Sequence, residues 1–191
     1  METAAATARM PWAGHARRME PTRAPSTAPE RHSYGAPDAP VTVLEYGDLE
    51  CPHCRAAAPV LRELVESSAG QVRLVWRHFP LFEVHPHALT AALASEAAGE
   101  HGRFWDLHDR CFADQSHLAD PDLRRHAQAL GLDPDTFVGA GAQRFAPAVE
   151  SDYLAGLVAG AQGTPTLFVG GVPFRGRVEL EALREAVRAR V

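Results

Sequence analysis

Lysine is absent from this chain of 191 residues, so arginine carries all of its formal positive charge. Acidic residues outnumber the basic ones, and the formal net charge is −5. Surfaces that bind nucleic acids or anionic membranes are usually clusters of basic residues with a net positive charge. The composition therefore predicts neither a nucleic-acid partner nor a polybasic membrane patch.

Long apolar runs are also missing. No stretch approaches the roughly 18 consecutive apolar residues of a membrane span. The first 35 residues lack the run of about 7–15 apolar residues that a secretory signal needs, and none follows Arg17 and Arg18, which resemble a twin-arginine start. The sequence therefore predicts a protein without a membrane span, located in the cytoplasm.

Cysteine is scarce, with three residues in the whole chain. Three are too few for a small domain held together by disulfides. Cys111 lies in an amphipathic helical pattern and is predicted to be buried and inert, because unpaired cysteines are among the most buried residue types. The other two, Cys51 and Cys54, stand close together.

The sequence Cys51-Pro52-His53-Cys54 follows an apolar strand pattern and precedes a helical one. Two residues between cysteines in the first turn of a helix place their Cα atoms within the roughly 4.4–6.8 Å that a disulfide spans. Free N–H groups and the helix dipole favour an anion there, so Cys51 is the predicted nucleophile. Pro52 sets a helical φ, and His53 is expected to turn a ring N–H or a positive charge toward the Cys51 thiolate.

Two other uses of the cysteines are considered beside a reversible redox pair: a zinc knuckle and a static disulfide. A zinc knuckle needs two further ligands at similar spacing, and no second Cys-X-X-Cys or paired His-X3-His follows. His78, His85 and His87 are a weaker metal-site candidate, because Pro86 favours an exposed, extended turn. The sequence therefore predicts no metal site.

The hydrophobic pattern predicts an α/β domain preceded by a tail. Residues 1–35 have no apolar periodicity and are predicted to be disordered, and residues 36–191 form the domain. Strand, helix and strand over residues 41–79 imply a parallel pair. Helical patterns at about residues 84–161 form an insertion, and a hairpin over residues 166–175 and a helix over residues 178–191 close the chain.

Pro165, in Gly163-Thr164-Pro165-Thr166, stands directly before the returning strand. A proline at the start of a strand often marks a turn or a cis peptide bond and can face a dithiol. The Cys51 to Cys54 motif, the helical insertion and this turn, in that order, resemble the DsbA-like branch of the thioredoxin superfamily. Residues 76–81 and 85–87 are also similar to DsbA-family domains found alone or fused to some sodium/proton antiporters. The resemblance implies a thioredoxin-like fold with an inserted helical subdomain.

Roles for individual residues follow from the same resemblance. It makes Cys51 the attacking cysteine, Cys54 the resolving cysteine and Pro165 a cis-proline, while Thr164 offers backbone groups to an extended substrate. Glu45 takes the position of a buried acid beneath the dithiol; alternation from Val43 points it into the core, where we expect it to relay the Cys54 proton through water. Oxidising members usually carry valine at the position of Thr164, so the direction of electron flow stays open.

The predicted function is a thiol:disulfide oxidoreductase that needs no bound cofactor. Its expected partners are extended or unfolded polypeptides or small thiols, together with a separate redox partner. A non-catalytic redox-sensing or interaction domain is the alternative, and an isomerase or glutathione-transferase relative of the same fold is the third hypothesis.

Overall fold

A computed structural model describes residues 31–190, which form a five-stranded mixed sheet flanked by helices. The sheet order is β1-β3-β2-β4-β5. Strands β2 and β3 are parallel, and the other three pairs are antiparallel. The strands are β1 (Ser33–Gly35), β2 (Val41–Gly47), β3 (Val72–His78), β4 (Thr166–Val169) and β5 (Val172–Phe174).

Helix α1 connects β2 to β3, helices α2 to α6 lie between β3 and β4, and helix α7 follows the sheet. The bounds are α1 (Pro52–Glu66), α2 (Ala88–Glu100), α3 (Phe104–Ala113), α4 (Asp120–Ala129), α5 (Gly139–Ala142), α6 (Ala146–Ala159) and α7 (Leu180–Arg188). The α/β architecture predicted from the sequence, with helices inserted before the returning strand, is observed. Within the predicted helical insertion, Pro134–Thr136 forms only a 3-10 turn.

Strand β2 is buried on both faces, which explains its nearly unbroken apolar sequence. Val41 and Val43 pack against α1 and α7, whereas Leu44 and Tyr46 pack with side chains from β3, β4 and α6. Glu45 shares the face of Val43, as its alternation predicts, and is 1% exposed. The strand therefore carries a carboxyl group into the core directly below the start of α1.

The inserted helices pack on the beginning of α1 through one hydrophobic cluster. Cys51 and Cys54 belong to this cluster, together with Trp76 of β3 and Cys111 of α3. Cys111 is completely buried, and burial raises its pKa to about 12, so the prediction of a buried thiol is confirmed. The two cysteines of the motif thus lie at the boundary between the sheet and the helical insertion.

Residues 31–35, which the sequence assigns to the predicted tail, are part of the folded domain. Ser33–Gly35 pairs antiparallel with β3, and His32 stacks on Phe104 with ring centroids 3.6 Å apart. Arg31 pairs with Glu96 and Asp152. A three-residue strand is too short to show a hydrophobic period, and its anchors are distant in sequence, so the pattern missed it; residues 1–30 of the predicted tail lie outside the described part of the chain.

Within residues 31–190, none of the helices combines the length and the apolar character needed to cross a membrane.

Replacing Gly47 by alanine is expected to destabilise the protein by about 1–3 kcal/mol through overpacking. A Cβ atom at Gly47 would lie 2.2 Å from the Trp76 ring, which is fully buried and has little room to move. Urea unfolding measures the change, with Gly163→Ala as a control because a Cβ there meets no atom within 4 Å. Equal stability of the two variants would contradict the prediction.

Candidate active site

The first turn of α1 positions the two cysteines. Cys51 is the N-cap residue and Pro52 lies at the first helical position, where its missing N–H is not needed. Cys54 follows in the first turn, so both sulfurs lie near the helix start. Both are free thiols, and their residues are 2% and 0% exposed, respectively.

The turn before β4 faces Cys51 from a remote part of the sequence. The Thr164-Pro165 peptide bond is cis, and the Cys51 Sγ lies 3.4 Å from the Thr164 carbonyl oxygen, to which it donates in its thiol form. The sequence analysis expected a proline turn to face the dithiol, and the structure places it there. A backbone carbonyl oxygen and the predicted nucleophilic sulfur are therefore in direct contact.

Hydrogen bonding lowers the pKa of Cys51 to about 5. The Cys54 thiol contributes most as a donor to the Cys51 thiolate, and burial opposes it. The Thr164 hydroxyl, which has no further partner among the described residues, and the backbone N–H groups of His53 and Cys54 also stabilise the anion. Cys51 is therefore a thiolate at neutral pH, as the helix-start argument predicts.

Cys54 has the opposite character. Burial, its hydrogen bond to Cys51 and the nearby Glu45 carboxyl raise the pKa of Cys54 well above that of a free thiol. Burial also raises the pKa of Glu45 to about 8, with the Cys51 charge adding to this effect and a hydrogen bond to Cys54 opposing it. The Glu45 Oε1 atom is buried without a hydrogen-bond partner. A protonated acid therefore adjoins the thiol that has to lose a proton.

His53 lies where the sequence places it, but its ring does not hold the Cys51 thiolate. The side chain is exposed, and only the backbone N–H of His53 contributes to the lowered pKa of Cys51. Neighbouring side chains of a helix point about 100° apart, so His53 faces solvent although Cys54 faces the core, while the backbone N–H of His53 is among the free N–H groups of the first turn. The ring instead lines an open groove of about 430 Å³ with Ala56, Thr164, Pro165 and Arg177.

Two side chains that the sequence analysis missed hold the loop before Cys51. The Asp48 carboxylate accepts the Glu50 N–H within this loop, and the Asp48 N–H donates to Cys54 Sγ across 3.5 Å. Gln115 Nε2, from the insertion, donates to the carbonyl oxygens of Leu49 and Cys51, each at 2.9 Å. Asp48 was visible as an acid between the strand and the cysteine motif, whereas no local pattern identifies Gln115.

The three histidines considered as a metal site contact three different acidic residues. His78 is buried beside Glu96, at 3.3 Å between Nε2 and Oε1, whereas His85 Nδ1 bonds to Asp48 Oδ2 at 2.8 Å. The described contact of His87 is made by its backbone N–H, which donates to Glu50. The structure therefore does not bring these three histidine side chains together as a metal site.

A different group, His32, His78 and Glu96, has its potential ligand atoms within 4.8 Å of one another. The Trp76 Nε1–H donates to His78 Nδ1 at 3.2 Å, so in the neutral ring the proton lies on Nε2, the atom a metal would need. Arg31 also lies 3.1 Å from Glu96 Oε1. This donor set fits a buried ion-pair network better than a metal ion.

A mixed sheet, a helix that begins with a dithiol and a cis-proline facing it define the thioredoxin superfamily. The family model described as Thioredoxin matches residues 27–189. The chain therefore belongs to the thioredoxin family.

Two solved structures have the fold of this family. A thioredoxin-like oxidoreductase from Silicibacter pomeroyi is 31% identical, with a TM-score of 0.72 over 85% of this chain and 93% of that one. BdbD from Bacillus subtilis, at 24% identity, has the same fold with a TM-score of 0.73 over 84% of this chain and 92% of that one. These likenesses confirm the predicted thioredoxin-like fold.

The curated relatives carry a different name. A protein from Salinispora tropica named Na(+)/H(+) antiporter NhaA 3 is 47% identical over 161 residues, and one from Salinispora arenicola named Na(+)/H(+) antiporter NhaA 1 is 46% identical over 165 residues. Each match covers 83% of this chain but only 24% of the relative. The chain thus spans about a quarter of the length of these two proteins.

Proposed function

We propose that the chain is a thiol:disulfide oxidoreductase that exchanges disulfides through Cys51 and Cys54. In the reductive direction the Cys51 thiolate attacks a substrate disulfide, which forms a mixed disulfide and releases one substrate thiolate. Cys54 then gives up its proton and attacks Cys51 Sγ, which forms the Cys51–Cys54 disulfide and releases the second thiolate. Two electrons pass from the protein to the substrate, and the oxidative direction is the reverse.

The observation that carries this proposal is the unequal pair of thiols. The pKa of Cys51 is lowered to about 5 and that of Cys54 is raised, although the sulfurs are neighbours. A static structural pair needs no such asymmetry, whereas an exchange reaction needs one thiol that attacks and one that waits. Glu45, adjoining Cys54, is the proposed acceptor and donor of the Cys54 proton, through water. It accepts the proton once Cys51 is bound in the mixed disulfide, because the Cys51 charge that helps to raise the pKa of Glu45 is then gone.

The groove beside Pro165 supports polypeptides or small thiols as substrates. Thr164, Pro165 and His53 all line it, and the Thr164 carbonyl oxygen is 3.4 Å from Cys51 Sγ, so an extended chain laid there passes close to Cys51. We propose that Thr164 and Pro165 bind such a chain and that a separate redox partner restores the dithiol or disulfide. No bound cofactor enters the proposed reaction, and the cytoplasmic location stays a prediction of the sequence.

A second candidate, a redox sensor without turnover, is favoured by the burial of Cys51. Only 2% of this residue is exposed, so a bulky substrate has to displace part of the surrounding surface to reach its sulfur. In a sensor, disulfide formation between Cys51 and Cys54 would change partner binding without catalysing further exchange.

The equilibrium with glutathione tests the proposal and gives a numerical prediction. At neutral pH, each unit by which the pKa of the leading cysteine falls below 7 raises a two-electron potential by about 30 mV. Thioredoxin, whose leading cysteine has a pKa near 7, has a potential of about −270 mV. A Cys51 pKa of about 5 therefore predicts a potential roughly 60 mV higher, near −210 mV. This value lies between those of the reducing and the strongly oxidising members.

The measurement uses the protein equilibrated at defined ratios of reduced to oxidised glutathione, quenched with acid, alkylated and weighed by mass spectrometry. The Cys111→Ala variant should give the same midpoint, and both proteins should accelerate insulin reduction by a dithiol. Failure of Cys51 and Cys54 to form a disulfide at any ratio would eliminate the proposal. A disulfide that forms normally, with no acceleration of insulin reduction, would favour the sensor.

A further inference from the structure

The buried carboxylate of Asp48 organises the loop between β2 and α1. Its side chain is completely buried, and its Oδ1 accepts the Glu50 N–H at 2.8 Å. Its Oδ2 accepts two donors from the segment between β3 and α2, the Leu81 N–H and His85 Nδ1, each at 2.8 Å. A buried carboxylate is stable only with such donors, so this loop and that segment are held together through Asp48.

The backbone of Asp48 contacts the dithiol directly. Its N–H donates to Cys54 Sγ at 3.5 Å, and its carbonyl oxygen accepts the Cys51 N–H at 3.1 Å. The side chain and the backbone of one residue thus connect the segment holding His85 to both cysteines. A change in the carboxylate's position moves the peptide groups that contact the two cysteines.

His85 is the one side chain outside the Asp48 loop that bonds to this carboxylate within the described contacts. It is about one-fifth exposed, and with the Asp48 carboxylate as the acceptor its Nδ1 carries the proton. The sequence analysis considered His85 only as part of a metal-site candidate that it rejected, and the proposed reaction gives it no role.

We propose that His85 is a positioning residue for the resolving cysteine: through Asp48 it holds a backbone N–H on Cys54 Sγ and so sets how fast Cys54 closes the mixed disulfide. The inference rests on the proposed function and concerns its second step. There the Cys54 thiolate attacks Cys51 Sγ, the bond from Cys51 to the substrate sulfur breaks, the Cys51–Cys54 bond forms and the substrate leaves as a thiolate.

The Asp48 N–H matters in this step because Cys54 has to become an anion in a buried place. Burial raises the pKa of Cys54, and the N–H of Asp48 is the contact from the preceding loop that lowers it. Loss of a hydrogen bond of this kind is expected to slow the step about three- to tenfold, which corresponds to about 0.6–1.4 kcal/mol. The first attack by Cys51 needs no Cys54 anion and should be nearly unaffected.

Rapid-quench kinetics with oxidised glutathione tests the proposal. The reduced Cys111→Ala protein is mixed with glutathione disulfide, quenched with acid, and separated by mass into dithiol, mixed disulfide and internal disulfide. In this background His85→Ala should slow closure of the mixed disulfide about three- to tenfold, so that this species accumulates, while its formation rate changes less than twofold. His85→Asn should restore closure, because an asparagine amide N–H lies at the same branch position as His Nδ1.

The matched control is His87→Ala, two residues along the same segment. Its described contact is the backbone N–H to Glu50, which alanine retains, so closure should keep the wild-type rate. Closure at the wild-type rate in His85→Ala would overturn the inference, and so would a loss of stability that slows both steps equally and that asparagine does not repair. A wild-type protein that forms neither the mixed disulfide nor the internal Cys51–Cys54 disulfide overturns the proposed function itself, a result distinct from either.

Discussion

Replacing Cys51 by alanine is expected to reduce insulin turnover to the background rate of the added dithiol. Cys51 carries the attacking sulfur, and Cys54 cannot replace it, because burial raises the pKa of the Cys54 thiol and leaves it protonated. Replacing Cys54 by alanine should give a different result: Cys51 still attacks, and the substrate stays attached to it as a mixed disulfide.

Mass spectrometry after incubation with a disulfide peptide separates these outcomes. The Cys54→Ala protein should gain the mass of one peptide, the Cys51→Ala protein should gain none, and Cys111→Ala should behave as the wild type because its sulfur is fully buried. Wild-type turnover in Cys51→Ala, or peptide attached to Cys111, would contradict the assigned roles.

The pH dependence of alkylation reports the Cys51 thiolate independently of any substrate. With a pKa of about 5, the rate of Cys51 alkylation by iodoacetamide should stay nearly constant from pH 8 to pH 6 and fall by half near pH 5. An ordinary thiol, with a pKa near 8.5, would lose about tenfold per unit below pH 8. A Cys51 profile of this ordinary kind would contradict the lowered pKa.

The parts of the molecule that the sequence predicts are those set by local pattern. The central strand, the first helix and the returning strand have apolar periods long enough to define them, and Cys51 and Cys54 are placed by helix geometry alone. Pro165 required the order of distant motifs, because nothing near it in sequence identifies Cys51 as the group it faces.

The parts that the sequence does not predict depend on contacts between distant residues. Strand β1 is three residues long, and Arg31 and His32 hold the segment before it through partners more than 60 positions away. Gln115 reaches the carbonyl of Cys51 from a loop of the insertion. The His53 ring was assigned to the thiolate on chemical grounds, whereas the direction of the helix gives that role to its backbone N–H.

Glu45→Gln is expected to stabilise the reduced protein as the pH rises. The pKa of Glu45 is about 8 in the folded protein and near 4.5 in the unfolded chain, so above pH 4.5 ionisation favours the unfolded chain. The folded-state benefit of a raised pKa is fully present below pH 4.5 and is lost as the pH rises to 8. At about 1.4 kcal/mol per unit, the wild type should lose about 3 kcal/mol relative to the glutamine variant between pH 4.5 and pH 7.

Urea unfolding of both proteins under reducing conditions at several pH values measures this difference, and Glu63→Gln, which changes an exposed acid of α1, should differ by less than about 0.5 kcal/mol. A difference between wild type and Glu45→Gln that does not vary with pH would show that Glu45 titrates normally.

The same substitution should slow closure of the mixed disulfide near neutral pH, because an amide cannot accept the Cys54 proton. Greater stability combined with slower closure separates a buried acid retained for proton transfer from one retained for packing, since a packing role predicts that stability and rate fall together.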